Sequence, residues 1–110
     1  MKRFEIVDER KLIADACAIA AQYCDYNAPR FLRRFGHYGS PMTYREAGAA
    51  EGVGYQATRM SVLRTIRKLS REPHIGVEGA QRLKRMLRCD LGTMRKVRLD
   101  SAVASDGVGH

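Results

Sequence analysis

The stretch from residue 42 to residue 69 constrains the fold most, because it predicts two helices joined by a sharp turn. Thr43 and Glu46 have the spacing of a capping box, in which each side chain accepts a hydrogen bond from the backbone amide of the other residue. A helix should begin at Thr43 and stop near Gly52, since glycine readily takes the left-handed angles that end helices. A short helix, a glycine turn and a second helix are typical of the helix-turn-helix motif.

The second helix of this motif is expected from about Tyr55 to Leu69, and its two sides differ in character. Thr58, Val62, Ile66 and Leu69 recur at spacings of four, four and three residues, which places them on one face. The arginines and the lysine of the segment fall mostly on the rest of the circumference. In a helix-turn-helix, the second helix commonly enters the major groove of DNA.

A longer helix is predicted ahead of the motif, over residues 9–25. The segment is rich in alanine and contains neither glycine nor proline. Its apolar side chains cover much of the circumference, with Ile13, Cys17 and Cys24 on one face, so this helix should be covered on more than one side. Packing over the motif within one chain and contact between the two chains of a homodimer both meet this requirement.

Shorter helices are predicted on both sides of the motif. Residues 29–35 should form one, with Asn27 as a candidate N-cap. Residues 77–89 resume helical spacing after a break at residues 70–76, which contain a proline and a glycine. The first of these helices should turn its arginines outward, namely Arg30, Arg33 and Arg34. The second should carry an apolar face formed by Val77, Ala80, Leu83 and Leu87.

These segments predict an all-α protein, a compact helical domain of four to five helices built around the helix-turn-helix. A chain of 110 residues supports one modest core, so residues 1–99 are assigned to a single domain with the motif at 43–69. Residues 100–110 have the composition of a flexible C-terminal tail. No apolar run approaches the length of a membrane span and no secretory signal is visible, so a cytoplasmic protein without a membrane partner is expected.

The positive charge of the chain is concentrated around the motif. Residues 29–99 hold sixteen basic and five acidic side chains, a net charge of +11, whereas the whole chain carries +8. Fifteen of the twenty basic residues are arginine, whose planar fork suits phosphate oxygens and guanine edges. A polyanion is the expected partner, and the alternative is a basic surface that serves solubility alone.

Neither a catalytic site nor a metal site is predicted. Cys17, Cys24 and Cys89 match no disulfide framework or metal-binding spacing, which favours reduced and buried thiols. Glu46 is accounted for as a capping residue and Glu51 lies beside the turn, so the two do not form an acid-base pair. The chain is therefore expected to be no enzyme and to need no cofactor.

Residues 31–69 resemble region 4 of bacterial sigma factors, the domain that holds the promoter −35 element. The resemblance rests on FLRRFG at residues 31–36, TYREAGAAEGVG at 43–54 and IRKL at 66–69, in a register without gaps from 43 to 69. It implies a DNA-binding scaffold. A lone domain of this kind is also similar in architecture to small phage late-gene antiterminators, which would make the chain a small, phage-encoded transcription regulator.

The chain departs from the family pattern in its core and at its reading positions. Ala47 and Ala50 stand where the family usually has isoleucine and leucine, so large residues from outside the motif must fill the core. Ile13, Phe31 and Leu87 are the candidates. Of the positions that read bases in the family, one alone keeps its usual residue, the arginine at position 59.

The exposed residues at the start of the second helix are the candidates for base reading: Tyr55, Gln56, Arg59 and Met60. Gln56 can pair with adenine and Arg59 with guanine, whereas Tyr55 can contact a phosphate or a thymine methyl group. Met60 is predicted to pack or to touch bases, and the alternative for the others is a solvated face. The candidates for phosphate binding are Arg45, Arg64, Arg67 and Lys68.

The sequence therefore predicts a transcription regulator that binds double-stranded DNA, with residues 55–69 in the major groove and RNA polymerase as a further partner. The alternative is a protein-binding module that engages RNA polymerase or a sigma or anti-sigma partner, as in phage late-gene antitermination.

Overall fold

The computed structural model describes residues 9–88, which form five α-helices and no strand. The predicted all-α class is thereby confirmed. No helix in this range is long and apolar enough to cross a membrane. Cys89, the residues from there up to 99 and the predicted tail at 100–110 lie outside the described residues. The helices are α1 (Glu9–Ala20), α2 (Ala28–Arg34), α3 (Tyr44–Glu51), α4 (Tyr55–Leu69) and α5 (Gly76–Met86).

Helix α4 is the central helix, because α1, α2, α3 and α5 all pack against it. The face predicted to be apolar is buried, and it includes three hydroxyl residues, of which two donate to backbone carbonyls one turn earlier. Thr58 Oγ1 donates to the carbonyl of Gly54 at 2.8 Å, and Thr65 Oγ1 donates to the carbonyl of Ser61 at 3.0 Å. The buried residues of α4 are Thr58, Ser61, Val62, Thr65, Ile66 and Leu69.

The helix-turn-helix forms from residues close together in sequence. The amide of Glu46 donates to Thr43 Oγ1 at 3.0 Å and the amide of Thr43 donates to Glu46 Oε1 at 2.9 Å, which confirms the capping box. Gly52 ends α3 with a φ of +73°, and α4 begins after Gly54. The turn packs closely on α3, since a Cβ on Gly48 would lie 2.6 Å from the carbonyl oxygen of Val53.

Large residues from outside the motif share a buried cluster with its second helix, since Ile13 and Phe31 pack in one cluster with Val62, Ile66 and Leu69. Ala47 is fully buried, and Ile13 and Phe31 are 1% and 0% exposed. Two predictions in this region need correction. Ala50 is exposed, because it lies on the outer side of α3, and Leu87 is partly buried and packs against the edge of the core.

Helix α1 is shorter than predicted, ending at Ala20 instead of residue 25. The reason is that Asp25 serves the next helix: its Oδ1 accepts the amides of Asn27 at 3.0 Å and Ala28 at 2.9 Å. Asn27 occupies the N-cap position, but within residues 9–88 its side chain makes no capping hydrogen bond, so the prediction that it caps α2 is wrong. Cys24 falls in the connection and is exposed, contrary to the buried thiol expected.

The predicted apolar face of the first helix is buried inside one chain. Ile13 and Cys17 are 1% and 2% exposed, and α1 packs on α2 and α4. A homodimer through this helix would therefore have to use the opposite side, where Arg10, Ala14 and Ala18 are exposed.

Two further predictions about side-chain direction are wrong. Val77 is 65% exposed instead of buried, since α5 turns Gly79 and Met86 towards the core. Arg34 is 5% exposed instead of facing outward, because its guanidinium carbon lies 4.9 Å from the centre of the Tyr44 ring, where the aromatic face compensates part of its desolvation.

Candidate nucleic-acid interface

All four candidate base-reading residues lie on the surface, in the first two turns of α4. Tyr55 is 46% exposed and Met60 is 43% exposed, and Gln56 and Arg59 are also exposed. The helix turns its opposite side to the core, so these side chains lie on the outer side of α4, where Tyr55 also contacts Tyr44 of α3. The structure therefore brings the four candidates together on one surface.

The outward side of α4 continues as a line of exposed residues towards the C-terminal end of the helix. Gln56, Met60, Arg64 and Arg67 follow one another at spacings of four, four and three, and all are exposed. The sequence of α4 contains four basic residues and no acidic residue. Electrostatic attraction to a polyanion is thus not opposed by carboxylates on the same helix.

The four candidate phosphate-binding residues differ in their surroundings. Arg45 on α3 and Arg64 and Arg67 on α4 are exposed to solvent. Lys68 is engaged within the chain: its Nζ lies 3.2 Å from Asp25 Oδ2 and 4.2 Å from the centre of the Tyr23 ring. Binding a phosphate through Lys68 would require it to leave both partners.

Tyr23 belongs to the same contact between the α1–α2 connection and the end of α4. Its hydroxyl donates to Glu72 Oε2 at 2.8 Å. Burial and the neighbouring carboxylate of Glu72 raise the pKa of Tyr23 well above its ordinary value, so the phenol stays protonated and keeps this hydrogen bond. These contacts join the α1–α2 connection to the end of α4 and the segment after it, at one edge of the candidate interface.

A cluster of tyrosine and arginine side chains lies beside the start of α4. The rings of Tyr44 and Tyr55 meet edge to face, with centroids 5.5 Å apart. Burial raises the pKa of Tyr44, although Arg34 and Arg59 act in the opposite direction. The cluster fixes the N-terminal turn of α4 against α3, and with it the orientation of Tyr55. The two tyrosines are eleven positions apart in sequence, so no local pattern could have revealed their contact.

The arginines of α2 hold the motif in place instead of adding to its outer surface. Arg33 Nε lies 2.6 Å from Glu51 Oε2 at the end of α3, and Arg30 Nη1 donates to Ser61 Oγ on α4 at 2.8 Å. Both side chains are partly buried. Part of the positive charge counted in the sequence is therefore used inside the fold.

Among residues 9–88 no group of three or more histidine, cysteine, aspartate or glutamate side chains could hold a metal ion. The exposed groups at the start of α4 are a phenol, an amide, a guanidinium and a thioether. The first three donate hydrogen bonds, and the phenol and the amide also accept them, which suits base edges and phosphates.

Comparisons with known proteins give no match for this chain: no family model fits it, and no curated protein or solved structure is significantly similar to it. The resemblance of residues 31–69 to region 4 of sigma factors therefore stays a prediction.

Proposed function

We propose that this protein is a DNA-binding regulator of transcription that inserts the N-terminal half of α4 into the major groove. The observation that carries the proposal is the combination on one exposed helix side of Gln56, Arg59, Arg64 and Arg67, with no carboxylate anywhere on α4. Glutamine and arginine are the side chains that form paired hydrogen bonds with adenine and guanine.

The position of each group suggests its role. Gln56 and Arg59 are in the first two turns after Gly54, where a recognition helix meets base edges. Arg64 and Arg67 follow one and two turns later, where phosphates of the groove edge would lie. Arg45 would contact a phosphate from α3.

Lys68 is the weakest of the phosphate candidates. Its contacts with Asp25 and Tyr23 would be lost on binding DNA, so its net contribution to affinity should be smaller than that of Arg64 or Arg67. The resemblance to sigma region 4 supports a site near a promoter, with RNA polymerase as a second partner.

The proposal is tested by titrating a labelled pool of random duplexes with the full chain at several salt concentrations. We expect binding that weakens with salt, with a logarithmic slope of about 0.9 per phosphate contact. Arg64→Ala and Arg67→Ala should each lower the slope by about one unit. No binding at low salt, or a slope near zero, would exclude the proposal.

Base reading is tested by selecting bound sequences from the same pool. Arg59→Ala should weaken binding to the selected sequence by about 1 to 3 kcal/mol and relax the preference for one base pair. Arg10→Ala, which removes an exposed arginine from α1, is the matched control and should leave the selected sequence unchanged. An unchanged selection with Arg59→Ala would show that Arg59 does not read a base.

A second candidate function is a protein-binding module that engages RNA polymerase or a sigma or anti-sigma partner, as in phage late-gene antitermination. The observation in its favour is apolar surface on and beside α4: Met60 is 43% exposed and Val77 on α5 is 65% exposed. Val77 takes no part in the proposed DNA contacts, whereas Met60 is also a base-reading candidate, so a protein partner on Met60 would compete with DNA.

A further inference from the structure

A groove runs between α4 and α5 on the side of the molecule where α5 turns Val77 outward. Helix α5 packs against α4 after a connection of residues 70–75. The groove is lined by apolar side chains together with polar and basic ones. Its lining includes Leu63, Ile66, Arg67, Val77, Ala80 and Lys84.

The apolar part of the groove is accessible to a partner. Val77 is 65% exposed and Leu63 is partly exposed, whereas Ile66 and Ala80 form the buried floor. A volume of about 270 Å³ lies just below the range of small-molecule pockets and suits a few apolar side chains of a peptide.

The charge along the groove selects the chemistry of the occupant. Arg67 on α4 and Lys84 on α5 are exposed and stand among its lining residues, and the lining contains no acidic residue. A partner segment with carboxylates flanking its apolar anchors would satisfy both cations, whereas a basic segment would be repelled. The phosphate backbone of DNA would satisfy the cations but would leave Leu63 and Val77 against a charged strand.

We propose that the α4–α5 groove binds an acidic amphipathic helix of a protein partner. Apolar side chains at the i, i+3 or i+4 and i+7 positions of that helix cover Leu63 and Val77, and its carboxylates pair with Arg67 and Lys84. Arg67 also lies on the outward side of α4, so a bound helix and a DNA phosphate compete for the same guanidinium. The groove itself is complete without DNA, and this inference does not rest on DNA binding.

The test selects partners from displayed random peptides of about 16 residues, long enough for four helical turns, against the full chain. We expect the enriched sequences to be acidic with apolar residues at helical spacing. An absence of enrichment, or enrichment of basic or uncharged sequences, would overturn the proposal. The most enriched peptide is then synthesised with a fluorescent label for titrations.

Variants locate that peptide on the protein. Val77→Asn and Lys84→Gln should each weaken its binding by about fivefold or more, because they remove an apolar contact and a cation of the groove. Ala14→Asn changes an exposed residue of α1 in the same way and is the matched control, expected to leave the affinity unchanged. Equal affinity of the Val77→Asn variant and the unchanged protein would overturn the proposal.

Two further measurements test whether a second copy of the chain or a DNA duplex occupies the groove instead. Light scattering should give the mass of one chain, 12.4 kDa; twice that mass, reduced to one chain by Val77→Asn, would mean that a second copy covers the groove and would overturn the proposal. Duplex titration of the Val77→Asn variant should match the unchanged protein. A Val77→Asn variant that loses peptide binding and keeps DNA binding therefore identifies the groove as the peptide site. A lack of DNA binding by the unchanged protein would instead contradict the proposed function and leave the groove proposal standing.

Discussion

The turn between α3 and α4 and the connection between α1 and α2 both bring the chain back against α4, but they are held differently. The α3–α4 turn is held mainly by contacts among residues 43–58, namely the capping box, the left-handed Gly52 and the close approach at Gly48, and Arg33 of α2 adds an ion pair with Glu51. The α1–α2 connection is held by α4 and the segment after it, through Lys68 on Asp25 and Glu72 on Tyr23.

The α3–α4 turn positions the candidate interface directly, whereas the α1–α2 connection lies beside it. The α3–α4 turn positions the first turns of α4, where Gln56 and Arg59 lie, and its contacts are short and partly with backbone. The α1–α2 connection depends on exposed or half-buried charges, which contribute less free energy. Substitutions in the turn should therefore cost more stability than substitutions in the connection.

The largest effect is expected for Gly48→Ala. A Cβ at this position would lie 2.6 Å from the carbonyl oxygen of Val53 and close to Thr58 Oγ1, so the turn or α4 must move. We expect a loss of about 1 to 3 kcal/mol in the free energy of unfolding, despite the better helix propensity of alanine. Urea unfolding followed by circular dichroism measures it.

The matched control is Gly54→Ala, at which a Cβ would meet nothing within 4 Å. Gly54 has a φ of −82°, so the substitution introduces no backbone strain, and the loss should stay below about 1 kcal/mol. If Gly48→Ala and Gly54→Ala unfolded at the same urea concentration, the close packing of the turn on α3 would be disproved.

A smaller effect is expected for Thr43→Ala, which removes the acceptor for the amide of Glu46. Loss of an N-cap of this kind costs about 1 kcal/mol. The control is Glu46→Gln, since glutamine can still accept the amide of Thr43 and is common at this position of a capping box. The same unfolding assay applies, and a stability of Thr43→Ala equal to that of the unchanged protein would contradict the role given to the box.

This contrast explains only part of what was predictable from sequence. The α3–α4 turn was predicted correctly, including Thr43, Gly52 and the span of α4, because each feature obeys a rule that acts within a few residues. The end of α1 was predicted wrongly, because Asp25 accepts two amides of the next helix. The exposure of Val77 and the burial of Arg34 were missed for a different reason, since both depend on tertiary packing.

The candidate interface was predictable to a similar extent. Helical spacing was sufficient to place Tyr55, Gln56, Arg59 and Met60 on the exposed side of α4. It was insufficient to show that Lys68 forms an ion pair with Asp25, which lies 43 positions earlier in the sequence. It was equally insufficient for the groove between α4 and α5, which arises from how two helices pack.

The smallest effect is expected at the α1–α2 connection, for Asp25→Asn. Burial acts to raise the pKa of the Asp25 carboxyl, but hydrogen bonds from the amide of Ala28 and from Lys68 outweigh it, so the pKa lies below its ordinary value. A lowered pKa in the folded protein means that the carboxylate stabilises the fold above the ordinary aspartate pKa. That contribution is lost as the pH falls through the folded value.

Asparagine can still accept the amides of Asn27 and Ala28, so Asp25→Asn removes the charge and little else. At neutral pH we expect a loss of at most about 1 kcal/mol in the free energy of unfolding. The unchanged protein should lose this increment as the pH falls below the ordinary aspartate pKa and through the lower folded value, which makes its stability the more steeply pH-dependent of the two. Asp15→Asn, in an exposed pair with Lys11, is the control for carboxylates without amide partners. Parallel pH profiles for Asp25→Asn and the unchanged protein would show that the connection does not depend on this charge.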